Sequence, residues 1–324
     1  MDEVILMEAN KTHPKRPQLR KHGTISCNNI VETTPIVFGG ELYRFEVVRR
    51  ESFTSDTAVG VGHWSELADD PCLRFVHVRT NTATPVFAKG HTFGFPWAED
   101  GVMYVVTGGS REWGSDSLVF LRSEDLVHWE QYTTLEMPGW RIYNMNIAKK
   151  GDVYTLLVEI DAPAEACGRP YTFRFLQSTD LTNWKLMPSE CVFQKDRYAG
   201  SPALYAFEDD SYYYVGYLEA YPNARYANSL ARSRDLIHWE YSPLNPVLMY
   251  GDEDRVIASP FLTPNDRERI GCALNINNSD MELCEYLGRT VIYYSWGDQR
   301  GTEFLAEASS EMPMHDFLRA FFEA

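Results

Sequence analysis

Hydrophobic and polar residues alternate along most of the chain in short runs, broken by turns that contain Gly or Asp. A period of two puts successive side chains on opposite faces of a strand, so the pattern predicts sheet rather than helix. Five stretches read as antiparallel hairpins: IVFGGELYRFEVV (36–48), PWAEDGVMYVVTG (96–108), NIAKKGDVYTLLVE (146–159), ALYAFEDDSYYYVGYLE (203–219) and LCEYLGRTVIYYSW (283–296). Third strands are expected over 118–123, 172–178 and 228–233, with a degenerate counterpart in CLRFVHVRT (72–80) and a closing one in TEFLAEA. Helical spacing appears in the tail, where Met314, Phe317, Leu318, Phe321 and Phe322 recur at i, i+3, i+4, i+7 and i+8 after Pro313, and over 264–272.

The motif S-x-D-L-x-x-W occurs three times, at Ser123–Trp129, Ser178–Trp184 and Ser233–Trp239, its serines 55 residues apart both times. Units of that size, each a hairpin plus outer strands, fill the chain as five blades of an all-β five-bladed β-propeller with a short C-terminal helix. No low-complexity linker interrupts them. Residues 1–324 are therefore expected to form one domain, with an N-terminal arm over about 1–25 and the helix over about 313–323. Within the motif, Ser and Asp suit a tight turn that bonds backbone N–H groups, and the Trp suits the seam between blades. Asp125, Asp180, Asp235, Trp129, Trp184 and Trp239 are read as scaffold.

Composition narrows the function. With 30 Lys and Arg against 46 Asp and Glu the formal charge is −16, which repels phosphate backbones and anionic lipid heads. Neither nucleic acid nor membrane is an expected partner, and oligomeric state is left open. The start of the chain has no basic segment followed by an apolar one, so a cytoplasmic location is expected. The six cysteines are far apart, without a C-x-x-C pair, and read as reduced thiols. No phosphate loop, H-E-x-x-H helix or G-x-S-x-G elbow is present. No cofactor is expected. A structural Ca²⁺ among the acids is conceivable, although the EF-hand spacing is absent.

Hairpins followed by S-x-D-L-x-x-W resemble the five-bladed propeller glycosidases, above all glycoside hydrolase family 43 and its relatives, over roughly residues 28–310. The closing stretch 275–308 is similar to that of a group of propeller proteins described only as glycosyl hydrolases. The resemblance implies a glycosidase that acts on a small oligosaccharide or glycoside in an axial funnel through a pair of carboxylates. It also implies three acids near the starts of inner strands. Here the first of these places reads Glu32-Thr33-Thr34-Pro35, the second offers Asn144 and Asn146, and the third reads Ala199-Gly200-Ser201-Pro202. None of the three family acids transfers. Either the carboxylates have moved, or the chain binds sugar without hydrolysing it; a phosphorolytic glycan-active enzyme is a further alternative.

Glycoside hydrolysis needs one carboxyl to protonate the leaving oxygen and another to attack carbon or activate water. In a propeller, inner strands begin and second strands end on one face, so acids at both places reach the mouth. Second-strand ends supply Glu46, Glu159 and Glu219, while inner-strand starts supply Glu32, Asp196 and Asp280. Asp280, Asp196, Glu219 and Glu159 are the candidate catalytic acids. Asp280 and Asp196 are expected to face each other across the funnel, and the neighbouring Arg197 also offers Asp196 a plain ion pair. Candidate substrate contacts are His91, Arg197, Asn146, Asn278, Glu32, Glu46, Trp296 and Arg225. Taken singly, each such Glu also suits a solvated rim, His91 a structural imidazole, and the aromatics the core.

Overall fold

A computed structural model describes residues 13–27, 32–48, 71–110, 114–168, 171–194, 198–299 and 302–323. The alternating runs form antiparallel meanders. Strands β2 (Thr34–Phe38), β3 (Glu41–Val48), β4 (Cys72–His77) and β5 (Thr82–Ala83) make one four-stranded sheet. A second is built from β6 (Phe95–Glu99), β7 (Val102–Gly108), β8 (Ser117–Ser123) and β9 (Glu130–Glu136), and a third from β10 (Arg141–Lys150), β11 (Val153–Ala162), β12 (Thr172–Ser178) and β13 (Lys185–Leu186). A short helix, α1 (Ala164–Cys167), follows β11.

The remaining strands form one nine-stranded sheet with two parts. β14 (Gly200–Ala206), β15 (Tyr213–Tyr221), β16 (Arg225–Ser233) and the short β17 (Trp239–Tyr241) and β18 (Leu248–Met249) make the first part. β19 (Asn277–Tyr286), β20 (Arg289–Gly297) and β21 (Glu303–Ser310) make the second. The parts are joined by a single parallel pairing, Tyr226 with Asn277. Helix α2 (Pro264–Cys272) lies between them, and α3 (Met314–Ala320) follows β21. The first residues of the described chain are not a loose arm: β1 (Arg20–Ser26) adds antiparallel to β21, pairing Arg20 with Ser309 and Ser26 with Leu305. Arg16 anchors the approach to β1 by donating to the carbonyls of Leu244, Pro246 and Val247.

The architecture is consistent with a β-propeller. First strands neighbour one another in a closed cycle: β2 lies beside β6, β6 beside β10, β10 beside β14, β14 beside β19, and β19 beside β2. Apolar clusters fill the seams between successive sheets. Phe45, Phe75 and Val105 pack between the first and second, Phe120, Leu156 and Val158 between the second and third, and Phe173, Val215 and Tyr217 between the third and β14–β16. Tyr214, Trp296, Phe317 and Phe321 gather under α3, while Leu42, Tyr293 and Leu305 close the seam between β19–β21 and the first sheet.

The repeated motif is scaffold in physical detail. Asp125 Oδ1 accepts from the Val127 and His128 N–H groups, and Ser123 Oγ accepts from Leu126 N–H; Asp180 and Asp235 repeat the arrangement. These bonds hold Leu126, Leu181 and Leu236 at φ of 62°, 59° and 62°, a region leucine rarely adopts. They also stabilise the ionised aspartates, which sit well below the usual carboxylate range, chiefly through His128 for Asp125 and through the His238 and Asn183 N–H groups for Asp235 and Asp180. Each tryptophan covers the seam to the preceding sheet. Trp129 stacks on Phe87 at 3.9 Å, Trp184 on Phe120 at 5.5 Å and Trp239 on Phe175 at 5.9 Å. Trp184→Ala should cost about 3–5 kcal/mol, as for other buried aromatics, read as a lowered urea midpoint. An unchanged midpoint would remove Trp184 from the seam.

Candidate active site

The acids gather where the first strands begin. Glu32 and Thr34 of the β2 approach, Gly94 before β6, Asn144 of β10, Ser201 of β14, and Asp280 and Glu282 of β19 line one recess. Every sheet contributes. The backbone there is bent: Glu32, Phe93, Ser201 and Asp280 have φ of 51°, 58°, 47° and 52°, and the pairing slips between Ile142 and Met145, Gly200 and Ala203, and Ser279 and Glu282. Bulges of this kind re-aim side chains next to functional sites, and left-handed non-glycine residues persist only where the surroundings enforce them.

Ser201 connects two carboxyl groups. Its hydroxyl donates to Asp280 Oδ1 at 2.8 Å, and its backbone N–H donates to Glu159 Oε2 at 3.3 Å. Two hydrogen bonds and one serine span less than about 10 Å, which caps the distance between these carboxylates. Asp280 also accepts from Ser279 Oγ at 2.6 Å, so two hydroxyls hold its carboxyl in place. Behind Ser279, Asn277 donates to Ser279 Oγ and to the buried Glu303. Glu159, at the end of β11, is only 5% exposed. It accepts from Asn144 Nδ2 at 2.9 Å as well. A Cβ at position 200 would stand 3.2 Å from Glu159 Oε1 and 2.7 Å from the Tyr198 hydroxyl, so glycine there leaves the carboxyl room.

Burial pushes Glu159 up to about 8, against the opposing bonds from Asn144 and Ser201 and with help from the negative charges of Asp280 and Glu32. At neutral pH it holds its proton. Glu282, one step further along β19, is likewise pushed up to about 8 by burial, despite hydrogen bonds from Tyr205 and Asn146. Burial raises Glu303 too, with Asp280 adding to the shift. Two carboxyls that keep their protons, Glu159 and Glu282, therefore lie beside Asp280. A carboxyl that keeps its proton next to a second carboxyl is what acid-assisted bond cleavage requires.

The other sequence candidates have different surroundings. Asp196 and Arg197 lie outside the described residues. Glu219 accepts from Ser229 Oγ and the Tyr221 hydroxyl on β15–β16 and has no bond to Ser201 or Asp280 among those of the described residues, whereas Glu159, set just behind the lining of the recess, reaches it through Asn144 and Ser201. Asn146 lies one layer down, donating to Glu282, with its carbonyl oxygen buried and without a hydrogen-bond partner among the described residues. Glu46 is buried between Arg44 and Arg74. Asn278 belongs to a buried network with Lys21 and Asp254. Trp296 packs in the core on Phe304 and donates to Thr24 Oγ1, since a ring on β20 points into the seam. His91 bonds the Gly108 carbonyl through Nδ1, and Arg225 stands over the Tyr250 ring. Glu282 is absent from the sequence candidates. No periodicity announces it, because the slip between Ser279 and Glu282 breaks the alternation that would relate it to Asp280.

Among the described residues, no group of three or more His, Cys, Asp or Glu side chains is placed to hold a metal ion. Nor is any helix there long and apolar enough to cross a membrane.

No family model matches the chain, and no curated protein matches it. Solved structures do. One described as a glycoside hydrolase is similar with a TM-score of 0.59 at 12% identity, covering 97% of this chain and 96% of that one. The α-L-arabinofuranosidase PaAbf62A from Podospora anserina, solved in complex with cellotriose, is similar with a TM-score of 0.60 at 9% identity over 93% of this chain and 98% of that one. A mutant of the Bombyx mori GH32 β-fructofuranosidase BmSUC1, solved in complex with sucrose, gives 0.54 at 11% identity over 94% and 64%. At such identities the likeness establishes a shared fold.

Proposed function

We propose that the chain is a five-bladed, single-domain β-propeller glycoside hydrolase whose carboxylates have moved from the places the family-43 resemblance implies to Asp280 and Glu159. The closed cycle of first strands supports five blades. The single observation that carries the activity is Ser201 bonded to Asp280 on one side and to a Glu159 that burial keeps protonated on the other.

In this reading Glu159 gives its proton to the glycosidic oxygen as the bond from that oxygen to the anomeric carbon breaks. Asp280 either attacks that carbon or takes a proton from the water that does, and water finally supplies the hydroxyl on the new reducing end. The cap of about 10 Å between the carboxyls admits both geometries, which call for about 5–5.5 Å and 6.5–9.5 Å. Glu32 faces the same recess from the first sheet, and Glu282 lies beneath Asp280 as a neutral acid. A carbohydrate is the substrate class, in keeping with the similar folds solved with cellotriose and sucrose.

The test is a panel of chromogenic glycosides and small oligosaccharides, assayed with and without inorganic phosphate. Reducing-end release independent of phosphate is the expected result. Phosphate dependence would assign a phosphorolytic enzyme, and thermal stabilisation by a glycan without turnover would assign a binding protein.

A further inference from the structure

A buried acid that the proton transfer does not use stands behind Asp280. Glu303, the first residue of β21, is buried and is not among the residues that line the recess, yet its carboxyl is connected to them. Asn277, Gly297 and Glu303 form one row across β19, β20 and β21, Asn277 pairing with Gly297 and Gly297 with Glu303. The outer strands of such a row stand about 9.5 Å apart, so a side chain joins them only by crossing the middle position. Glycine keeps that crossing open: a Cβ at position 297 would stand 3.1 Å from Glu303 Oε2 and 1.9 Å from the Thr302 carbonyl oxygen.

The contacts form a directed chain. One oxygen of Glu303 accepts from the Gln299 N–H at 2.7 Å, and the other accepts from Asn277 Nδ2 at 3.3 Å. The same nitrogen donates its second hydrogen to Ser279 Oγ at 3.1 Å. Asn277 Oδ1 is buried without a hydrogen-bond partner among the described residues, so the two N–H bonds set which way the amide faces. Ser279 Oγ, accepting from Asn277, directs its single proton to Asp280 Oδ2 at 2.6 Å, while Ser201 holds Oδ1 at 2.8 Å. Backbone pairing gives no such support here, because the register slips between Ser279 and Glu282 and Asp280 has φ of 52°. A non-glycine residue keeps that conformation only where its surroundings enforce it.

We propose that Glu303 and Asn277 are positioning residues for Asp280: Glu303 sets the Asn277 amide, the amide fixes the direction of the Ser279 hydroxyl, and that hydroxyl, with Ser201, holds the Asp280 carboxyl in the recess. The inference rests on the role in hydrolysis proposed for Asp280 and adds the groups that hold it. A reacting carboxyl has to stay within about 0.5 Å of its productive place, which a supporting layer of hydrogen bonds secures. Stability alone does not account for an acid at position 303, since burial raises its carboxyl, Asp280 adds to the shift, and an apolar residue would fill the row without that penalty.

Asn277→Asp keeps the size of the side chain and removes its N–H groups. With the new carboxyl ionised, Ser279 has an acceptor on either side and its proton is no longer directed to Asp280; with it protonated, one donor returns. On a glycoside that wild type cleaves, kcat of this variant should fall about 10²-fold with KM changed no more than about twofold, the mark of a misplaced reacting group. The loss should shrink as pH falls through the titration of the new carboxyl, which has Glu303, Asp280 and Asp298 as acidic neighbours. Glu303→Leu, which keeps bulk and gives up the bond to Asn277, should lose at least about tenfold in kcat with the same split and without that pH rescue. Crystal structures of both variants should show the Asp280 carboxyl turned away from Ser279. Wild-type kcat in both variants, with Asp280→Asn inactive, would overturn the positioning role and leave the hydrolytic reading in place. Turnover by Asp280→Asn at the wild-type rate would strike that reading instead, and the crystal structures then decide alone: an unmoved Asp280 carboxyl in both variants overturns the role. A loss in Asn277→Asp that is the same at every pH, with Asp280 unmoved, would also overturn it as general damage.

Discussion

Glu159→Gln should lower kcat on an established glycoside by about 10²- to 10⁴-fold, the usual contribution of a positioned general acid. Glutamine keeps an oxygen for Asn144 Nδ2 and the Ser201 N–H but has no proton to give. The loss should therefore appear with little change in the melting temperature at neutral pH, where the native carboxyl is already uncharged. In wild type, kcat/KM should fall as pH rises through about 8, because burial holds Glu159 protonated up to that point. That limb should vanish from the residual activity of the variant. Substrates with an activated phenolic leaving group, which need no protonation, should lose far less, and that contrast separates proton donation from general damage to the recess. Equal losses on both substrate types would count against the assignment.

A large pH dependence of stability should accompany the activity. Glu159 and Glu282 are both pushed up to about 8, from an ordinary value of 4.5, by burial. Between those limits the folded chain keeps protons that the unfolded chain has released, so stability is greatest on the acid side and is lost as pH rises toward 8. Each group should contribute a slope of roughly 1.4 kcal/mol per pH unit inside that window. Denaturant unfolding of wild type from pH 5.5 to 8.5 should show the decline, and Glu282→Gln should remove one group's share while keeping partners for Tyr205 and Asn146. If stability rose with pH over this range, or if the slope of Glu282→Gln matched wild type, the neutral state of the buried acids would be wrong.

Much of the sheet architecture was legible because it rests on local rules. Alternation gave the hairpins, and the spacing of Ser123, Ser178 and Ser233 gave the repeat. The tryptophans of that repeat do cover the seams. What escaped was long-range. RKHGTIS has no clear alternation and becomes β1 only by adding to β21, at the other end of the sequence. Glu46 and Asn278 stand at strand ends as the pattern required, yet their surroundings are set by Arg74 and Lys21, which sequence spacing does not connect to them. Trp296 reads the same as an aromatic at the mouth or in the core, and only packing on Phe304 distinguishes them. Glu282 was hidden in a run that reads as strand interior, where a carboxyl is tolerated because it stays neutral and hydrogen-bonded. Ser201 lies two residues after Ala199, the place where the resemblance implies an acid, and its bonds to two carboxyls depend on a bulge that no pattern announces.

The most direct test is reducing-end release by the full chain from one glycoside established on the panel, measured side by side for wild type and Asp280→Asn at pH 6.5, with the glycan's effect on melting temperature recorded for both. The axial pair predicts turnover by wild type, a loss of about 10³-fold or more in the variant, and stabilisation of both by the glycan. Turnover by Asp280→Asn at the wild-type rate would contradict it.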